Sequence, residues 1–406
     1  MTAEAAAAPH DAPLASPAAG VTRSGASRID AIDALRGLVI AIMVLDHVRD
    51  FFHIAAFTAD PLALDSGSPA LFLTRWISHL CAPTFVFLAG VSIWLQRANG
   101  KSRPDLARFL VTRGLWLIVL ELTVVGLAFN LSVSVFLQVI WAIGAGMIVL
   151  AALIWLPRRA VLALGVAIIA GHPLLAPINP PDLGVAAPLW RLGLEFGPLG
   201  FAPGFMAYPL VPWLGIMLAG YGLGDLFARP VGQRTRPVLT LSGGLLILFV
   251  IVRALNVYGD PAAWSVQPMP LWTVLSFINV AKYPPSPDYV LLTLGVSLSL
   301  LPALERLGGP VKSVLLTFGR TPLFTYLLHI WIAHLLAVFV GLIGGIAFAD
   351  FVGSLGDPSR LIRDGWGFGL PGVYGFWALT LILLYPLSRW FEGVKRRRRD
   401  WWLGYL

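Results

Sequence analysis

The chain has 406 residues, 57% of them hydrophobic and only 12% charged, with a mean hydropathy of +0.79. Soluble domains carry about 25% charged residues, so the composition excludes a soluble globular enzyme and points to an all-α, polytopic transmembrane helix bundle. The net charge of +8 is spread in short clusters between apolar runs, not along one basic face, which excludes a nucleic-acid partner and leaves membrane topology as its cause.

Residues 1–27, "MTAEAAAAPHDAPLASPAAGVTRSGAS", are rich in Ala, Pro and Ser and lack the charged and apolar regions of a signal peptide. They are expected to be a disordered cytoplasmic tail, followed by one membrane domain over 28–392 and a basic, aromatic cytoplasmic tail over 393–406. Apolar runs between charged or Pro/Gly-rich breaks predict about ten helices, over 35–53, 77–96, 113–130, 137–156, 159–175, 205–227, 238–256, 288–304, 314–340 and 372–391. With both termini cytoplasmic, the inside segments hold 19 Lys and Arg, from Arg23 to the run Lys395–Arg399. The outside segments then hold 6, namely Arg49, Arg75, Arg191, Lys282, Arg360 and Arg363. That asymmetry obeys the positive-inside rule and requires an even number of spans.

The outer stretches "INPPDLGVAAPLWRLGLEFGPLGFAPGF" and "YGDPAAWSVQPMPLWTVLSFINVAKYPPSP" are dense in Pro, Gly and aromatic residues. Loops of this length are more often functional than idle, and aromatic surfaces with scattered polar groups suit a sugar-like ligand. They serve equally as caps that seal the bundle. No inverted repeat of the transporter kind is visible.

The first predicted helix, "DALRGLVIAIMVLDHVRDFFH", starts as a membrane span and ends in ionisable residues. On a helix Asp46, Arg49, Asp50 and His53 fall at i, i+3, i+4 and i+7, on one face, with His47 about 100° away. Charges inside a membrane cost about 2.5–3.5 kcal/mol each at mid-bilayer, so such a stripe faces the protein interior. One reading is an Asp–Arg pair at the outer interface with the histidines as hydrogen-bond partners. The other is chemical: a carboxylate, Asp50 or Asp46, orients an imidazole that accepts a proton near neutral pH. Asp33 and Arg36 stand at i, i+3 near the opposite end.

Further along, His79 sits at the outer start of the second helix. Arg320 and His329 in "FGRTPLFTYLLH" read as cavity-lining groups, with Pro322 marking a helix start. Lys282 in "AKYPPS" is an outer cation that either fixes an acidic or sugar ligand or caps the loop. With Arg49 and His79 it makes up the expected ligand-binding set on the outer side. The single cysteine, Cys81, excludes a disulfide within the chain, and no metal-binding or nucleotide-hydrolysing motif is present, so no metal is expected.

The stretch "RIDAIDALRGLVIAIMVLDH" resembles the opening signature of the heparan-alpha-glucosaminide N-acetyltransferase catalytic-domain family, within the transmembrane acyltransferases. The likeness continues through "RWISHLCAPTFVFLAGVSIWLQ", "YPLVPWLGIMLAGYGLG", "LSFINVAKYPPS", "FGRTPLFTYLLH" and "YPLSRWFEGVKRRRRDWWLGYL", and it favours the bacterial branch and hence a bacterial inner membrane. The resemblance implies transfer of an acetyl group from cytosolic acetyl-CoA to an amine or hydroxyl of a saccharide-like acceptor on the far side, without a metal.

It also implies a catalytic histidine after the first helix, for which His53 is the nearest match, while His47 takes the place of a family asparagine. His329 matches a further family histidine and so ranks above His334. Coenzyme A phosphates need cationic partners, and Arg36, Arg97, Lys101, Arg103 and Arg320 are the expected set. His53, His47, Asp50, Asp46 and His329 are the expected catalytic set, and exchange of His53 for Ala is expected to abolish transfer. A transporter or flippase for an amphipathic or lipid-linked solute is the alternative, and a homodimer is left open. Direct transfer and a covalent histidine intermediate both remain compatible with the sequence.

Overall fold

The computed structural model of the protein describes residues 29–64, 68–178, 180–398 and 400–406. The tail expected over residues 1–27 lies outside the described residues. The rest forms an all-α polytopic bundle. Its long helices in chain order are α1 (Asp30–Phe52), α2 (Pro69–Ala98), α3 (Arg103–Asn130), α4 (Val139–Leu153), α5 (Arg158–Leu175) and α6 (Leu210–Ala228). Then follow α7 (Val231–Leu255), α8 (Pro287–Arg306), the short α9 (Gly309–Arg320), α10 (Pro322–Ile343) and α11 (Leu370–Arg397). Eight of these are long and apolar enough to cross a membrane. With the charged α1 and the 15-residue α4 they account for the ten runs read from the sequence.

Local chemistry sets the helix starts. Ser68, Ser102 and Ser286 each cap α2, α3 and α8 by accepting the N–H of the third residue on, and Pro69, Pro104 and Pro287 sit in the first turns, where a missing N–H costs nothing. The run expected as one helix over 314–340 is broken at Thr321, which adopts φ −122°, ψ 44° between α9 and α10. Pro322 disfavours the helical conformation at the residue before it and breaks the hydrogen-bond ladder. The expected C-terminal tail is partly ordered: α11 runs to Arg397, and Trp401–Gly404 makes a single 3-10 turn.

α1 lies in the centre, packed by α9, α10 and α11 on one side and by α2 on the other. α2, α6 and α8 have 72% of their most apolar stretch buried, against 17% for α5 and α11 and 22% for α7, so the former build the interior and the latter face lipid. The tightest crossings are backbone on backbone. A Cβ on Gly37 of α1 would stand 1.9 Å from the Leu315 carbonyl oxygen of α9, and one on Gly319 would stand 1.8 Å from that of Asp33. Gly90 of α2 and Gly220 of α6 meet in the same way, 2.1 Å from Met217 O and Phe87 O. Small residues permit such contact where lipid supplies no hydrophobic drive for helix association.

One end of the bundle carries Asp30, Arg36, Arg113 and Arg234 and is called the basic end. The far end carries the connecting loops. Among the described residues the strands are three two-residue pieces at that far end: β1 (Phe136–Leu137), β2 (Gly197–Pro198) and β3 (Phe205–Met206), with β3 central, parallel to β1 and antiparallel to β2. The loop before α8 is fastened by Arg253, whose guanidinium donates to the carbonyls of Phe277, Ala262 and Asn279 at 2.8–2.9 Å. Asp260 Oδ2 accepts from Ala281 N at 2.8 Å and Ser286 Oγ at 2.6 Å, fixing the backbone on both sides of Lys282.

Candidate active site

The helical spacing of α1 brings Asp46, Arg49 and Asp50 together. Arg49 Nη2 reaches Asp46 Oδ1 at 3.1 Å and Asp50 Oδ1 at 2.5 Å. Arg75 of α2 adds a bond to Asp46 at 3.3 Å and another to Ser78 Oγ at 2.6 Å. Both carboxylates are therefore occupied by guanidinium groups and orient no imidazole. His53 does not join them. As the C-cap of α1 it pairs its backbone with Phe368, and its Nδ1 accepts the Ala55 N–H at 3.0 Å, which places the ring proton on Nε2.

His47 meets His329 of α10. Their rings stack with centroids 4.9 Å apart, and His47 Nδ1 lies 2.7 Å from His329 Nε2. His329 Nδ1 is 3.3 Å from Thr325 O, a carbonyl that can only accept. The proton assignment follows along this chain: His329 carries its hydrogen on Nδ1, so its Nε2 accepts from His47 Nδ1–H, and His47 Nε2 is left with a lone pair. The same logic of one ring nitrogen fixing the other applies throughout histidine chemistry. His47 is half-buried, so that lone pair is not sealed in the core. His334 is turned elsewhere, with Nδ1 on Ala128 O at 2.8 Å.

At the basic end a cavity of about 1200 Å³ runs between α1, α2, α3, α4 and the α9/α10 break. Arg36 and Arg320 line it; Arg97, Lys101 and Arg103 do not, and neither does His329, which the sequence reading placed with Arg320 as a cavity-lining group. Arg97 instead donates to Lys101 O at 3.1 Å, and the Lys101 ammonium rests 3.7 Å over the Phe109 ring, where partial burial holds it below the ordinary lysine range. Arg320 is committed to Asp30 at 3.0 Å and Glu392 at 3.1 Å, and Arg36 to Asp33 at 3.0 Å and to Ser92 Oγ. Arg113 and Lys312 also line the cavity, and their hydrogen bonds go to backbone carbonyls, of Gly404 and Glu305. With no carboxylate on them they are better placed than Arg320 to take phosphate oxygens. The cavity wall extends to Met43 and Tyr326. Met43 is one turn before His47 on α1, and Tyr326 one turn before His329 on α10, with the Tyr326 and His329 rings 5.5 Å apart.

A profile of the family described as heparan-alpha-glucosaminide N-acetyltransferase, catalytic, matches residues 28–258. The chain belongs to this family. Its members are membrane acetyltransferases, in keeping with a multipass bundle whose central helix carries the polar cluster. A search of curated proteins finds no match. The matched span takes in α1 to α7, so it covers His47, His53, His79, Arg36 and Arg113. His329, Arg320 and Lys282 lie beyond it.

On the far side of the histidine pair, His79 is buried and neither ring nitrogen has a hydrogen-bond partner among the described residues; its ring sits edge-on to Tyr289 at 5.4 Å. Lys282 is buried over the rings of Tyr283 and Tyr208, at 5.0 and 5.9 Å. One ligand atom each from Asp46, His47 and Asp50 falls within 4.8 Å of the others. Arg49 already bonds one oxygen of each of the two acids. Sequence reasoning passed over Glu121. This fully buried acid sits in a π-turn of α3 and caps the start of α4 by accepting the Trp141 N–H at 2.8 Å. Its signal was a lone acid within "LIVLELTVVG".

Proposed function

We propose that the protein transfers an acetyl group from acetyl-CoA, bound in the basic-end cavity, to an amine or hydroxyl of a saccharide-like acceptor that enters from the far end. One observation carries this reading. The wall of a cavity large enough for a coenzyme reaches within one helical turn of an imidazole whose partner histidine leaves it a free lone pair. The excess of cations at the basic end supports a cytoplasmic location for that end, where acetyl-CoA is made.

In this reading Arg113 and Lys312 hold phosphates, Arg36 stays on Asp33 in the cavity wall, and the pantetheine arm runs along the apolar wall toward Met43 and Tyr326. The acceptor nitrogen or oxygen attacks the thioester carbonyl carbon while His47 Nε2 takes its proton. The carbon–sulfur bond breaks, coenzyme A leaves as a thiolate, and the proton held by His47 returns to the sulfur. His329 supports the imidazolium through the Nδ1–H bond. His47 is preferred over His53 as base because a neutral His53 presents Nε2–H, a donor.

The test is release of free thiol from acetyl-CoA by the detergent-purified protein in the presence of glucosamine. Acceptor-dependent thiol release that is lost on His47→Ala supports the reading. Failure to bind acetyl-CoA at millimolar concentration, with no thiol released, overturns it in favour of a transporter.

A further inference from the structure

The segment that follows α11 folds back onto the wall of the basic-end cavity. Trp401–Gly404 closes a 3-10 turn, with Leu403 N donating to Asp400 O at 3.1 Å and Tyr405 N to Trp402 O at 2.9 Å. Leu403 is 5% exposed, so the turn is packed into the bundle instead of lying loosely on it. Lys395 Nζ of α11 donates to Leu406 O at 3.1 Å and ties the segment back to the helix it leaves.

One face of α3 receives the turn. Phe109, Thr112 and Arg113 stand at i, i+3 and i+4 and so lie side by side on that helix. The Tyr405 ring is 5.8 Å from that of Phe109, the Tyr405 hydroxyl is 2.8 Å from Thr112 Oγ1, and Arg113 Nη1 donates to Gly404 O. Phe109, Arg113 and Gly404 all line the cavity, which makes the contact part of its wall.

The kind of partner that Gly404 gives Arg113 decides what the contact can do. A carboxylate neutralises a guanidinium, as Asp30 and Glu392 do for Arg320. A carbonyl takes one N–H donor, leaves the positive charge in place, and fixes a side chain that otherwise samples many rotamers. The remaining donors of a guanidinium held in one direction suit a phosphate.

We infer that the segment Trp401–Leu406 is a positioning element of the donor site: through the Gly404 carbonyl it holds Arg113 ready for a phosphate of the coenzyme. This rests on the acetyl-transfer reading and gives the segment a part in donor affinity, not in the chemical step. Ordering Arg113 in advance removes a cost that coenzyme binding would otherwise carry.

The experiment measures KM and kcat for acetyl-CoA, by thiol release with glucosamine as acceptor, in the native protein, Tyr405→Ala, Tyr405→Phe, Arg113→Ala and the Tyr405→Ala/Arg113→Ala double variant. Tyr405→Ala frees the segment from Phe109 and Thr112. It is expected to raise KM for acetyl-CoA about 3- to 10-fold, the cost of ordering one long side chain on binding, with kcat unchanged. Tyr405→Phe keeps the ring on Phe109 and holds KM near the native value. In the Arg113→Ala background Tyr405→Ala adds no further loss, because the segment has no guanidinium left to hold. S-acetylpantetheine, a donor with the same thioester and no phosphate, reacts equally well with the native protein and Tyr405→Ala.

An unchanged KM in Tyr405→Ala overturns the inference, and so does a lowered KM, the mark of a segment that competes with phosphate for Arg113. An equal loss in the Arg113→Ala background, or with S-acetylpantetheine, overturns it as well. All of these leave acetyl transfer standing. Failure of the acetyl-transfer reading shows instead in the native protein, as no thiol released from acetyl-CoA, and takes the inference with it.

Discussion

In the proposed mechanism His47 is the base and His329 its support, and removal of His329 separates the two. In the ground state the His47 Nδ1–H bond to His329 Nε2, at 2.7 Å, joins two neutral rings. As His47 takes the acceptor proton it becomes an imidazolium, and the same bond becomes charge-assisted. Neutral hydrogen bonds contribute about 0.5–1.5 kcal/mol net and those to charged groups about 1.5–3 kcal/mol. The difference, about 1–1.5 kcal/mol, exists only in the transition state. His329→Ala is therefore expected to lower kcat about 5- to 15-fold. It should leave KM for acetyl-CoA in place, because neither histidine lines the cavity. His47→Ala removes the base itself, about 10²–10⁴-fold. The double variant should be no worse than His47→Ala, since the support has nothing left to act on. Thiol release under saturating acetyl-CoA reads all three, with thermal melts confirming folded protein. Equal, additive losses in the double variant, or loss of turnover in His53→Ala with His47→Ala active, would refute the assignment.

Three further predictions concern the donor cavity and the scaffold. Arg113→Ala should weaken acetyl-CoA binding about 10- to 100-fold by calorimetry, whereas Arg320→Ala, which leaves Glu392 and Asp30 without their cation, should chiefly lower the melting temperature; equal affinities for Arg113→Ala and the native protein would remove Arg113 from the phosphate site. Gly319→Ala places a methyl where Asp33 O stands 1.8 Å away, so α1 and α9 must separate, at about 1–3 kcal/mol or more; an unchanged denaturation midpoint would contradict that crossing. Glu121→Ala strands the Trp141 N–H in the core, an expected loss of about 1–3 kcal/mol, and a stability equal to that of the native protein would show that α4 is capped by something else.

Membrane helices announce themselves by apolar length, so the ten runs were legible, and so was the inward stripe of α1, because Asp46, Arg49 and Asp50 share a face by spacing alone. Pro322 marked the break at Thr321, though the apolar run continued through it. Pairings across the bundle left no such trace. His47 and His329 are 282 residues apart, and nothing in either helix's periodicity tells that they stack. Charge at the basic end was legible as topology only: Arg97, Arg103 and Arg113 look alike in sequence, yet only Arg113 turns into the cavity. His53 continues the i, i+3, i+4, i+7 series in sequence, while the helix ends at Phe52 and the chain turns away there.

The Gly37–Gly319 crossing also acts as a fulcrum. His47 lies ten residues up α1 from Gly37, a lever arm of about 15 Å at 1.5 Å per residue. A tilt of about 4° about that point would carry the imidazole by about 1 Å, enough to spoil a reaction that depends on near-contact alignment. Gly37 against the Leu315 backbone and Gly319 against that of Asp33 leave no side-chain torsion to absorb such a tilt, so the aim of the imidazole is set at the opposite end of the helix, beside the Arg36 and Asp33 pair that borders the cavity.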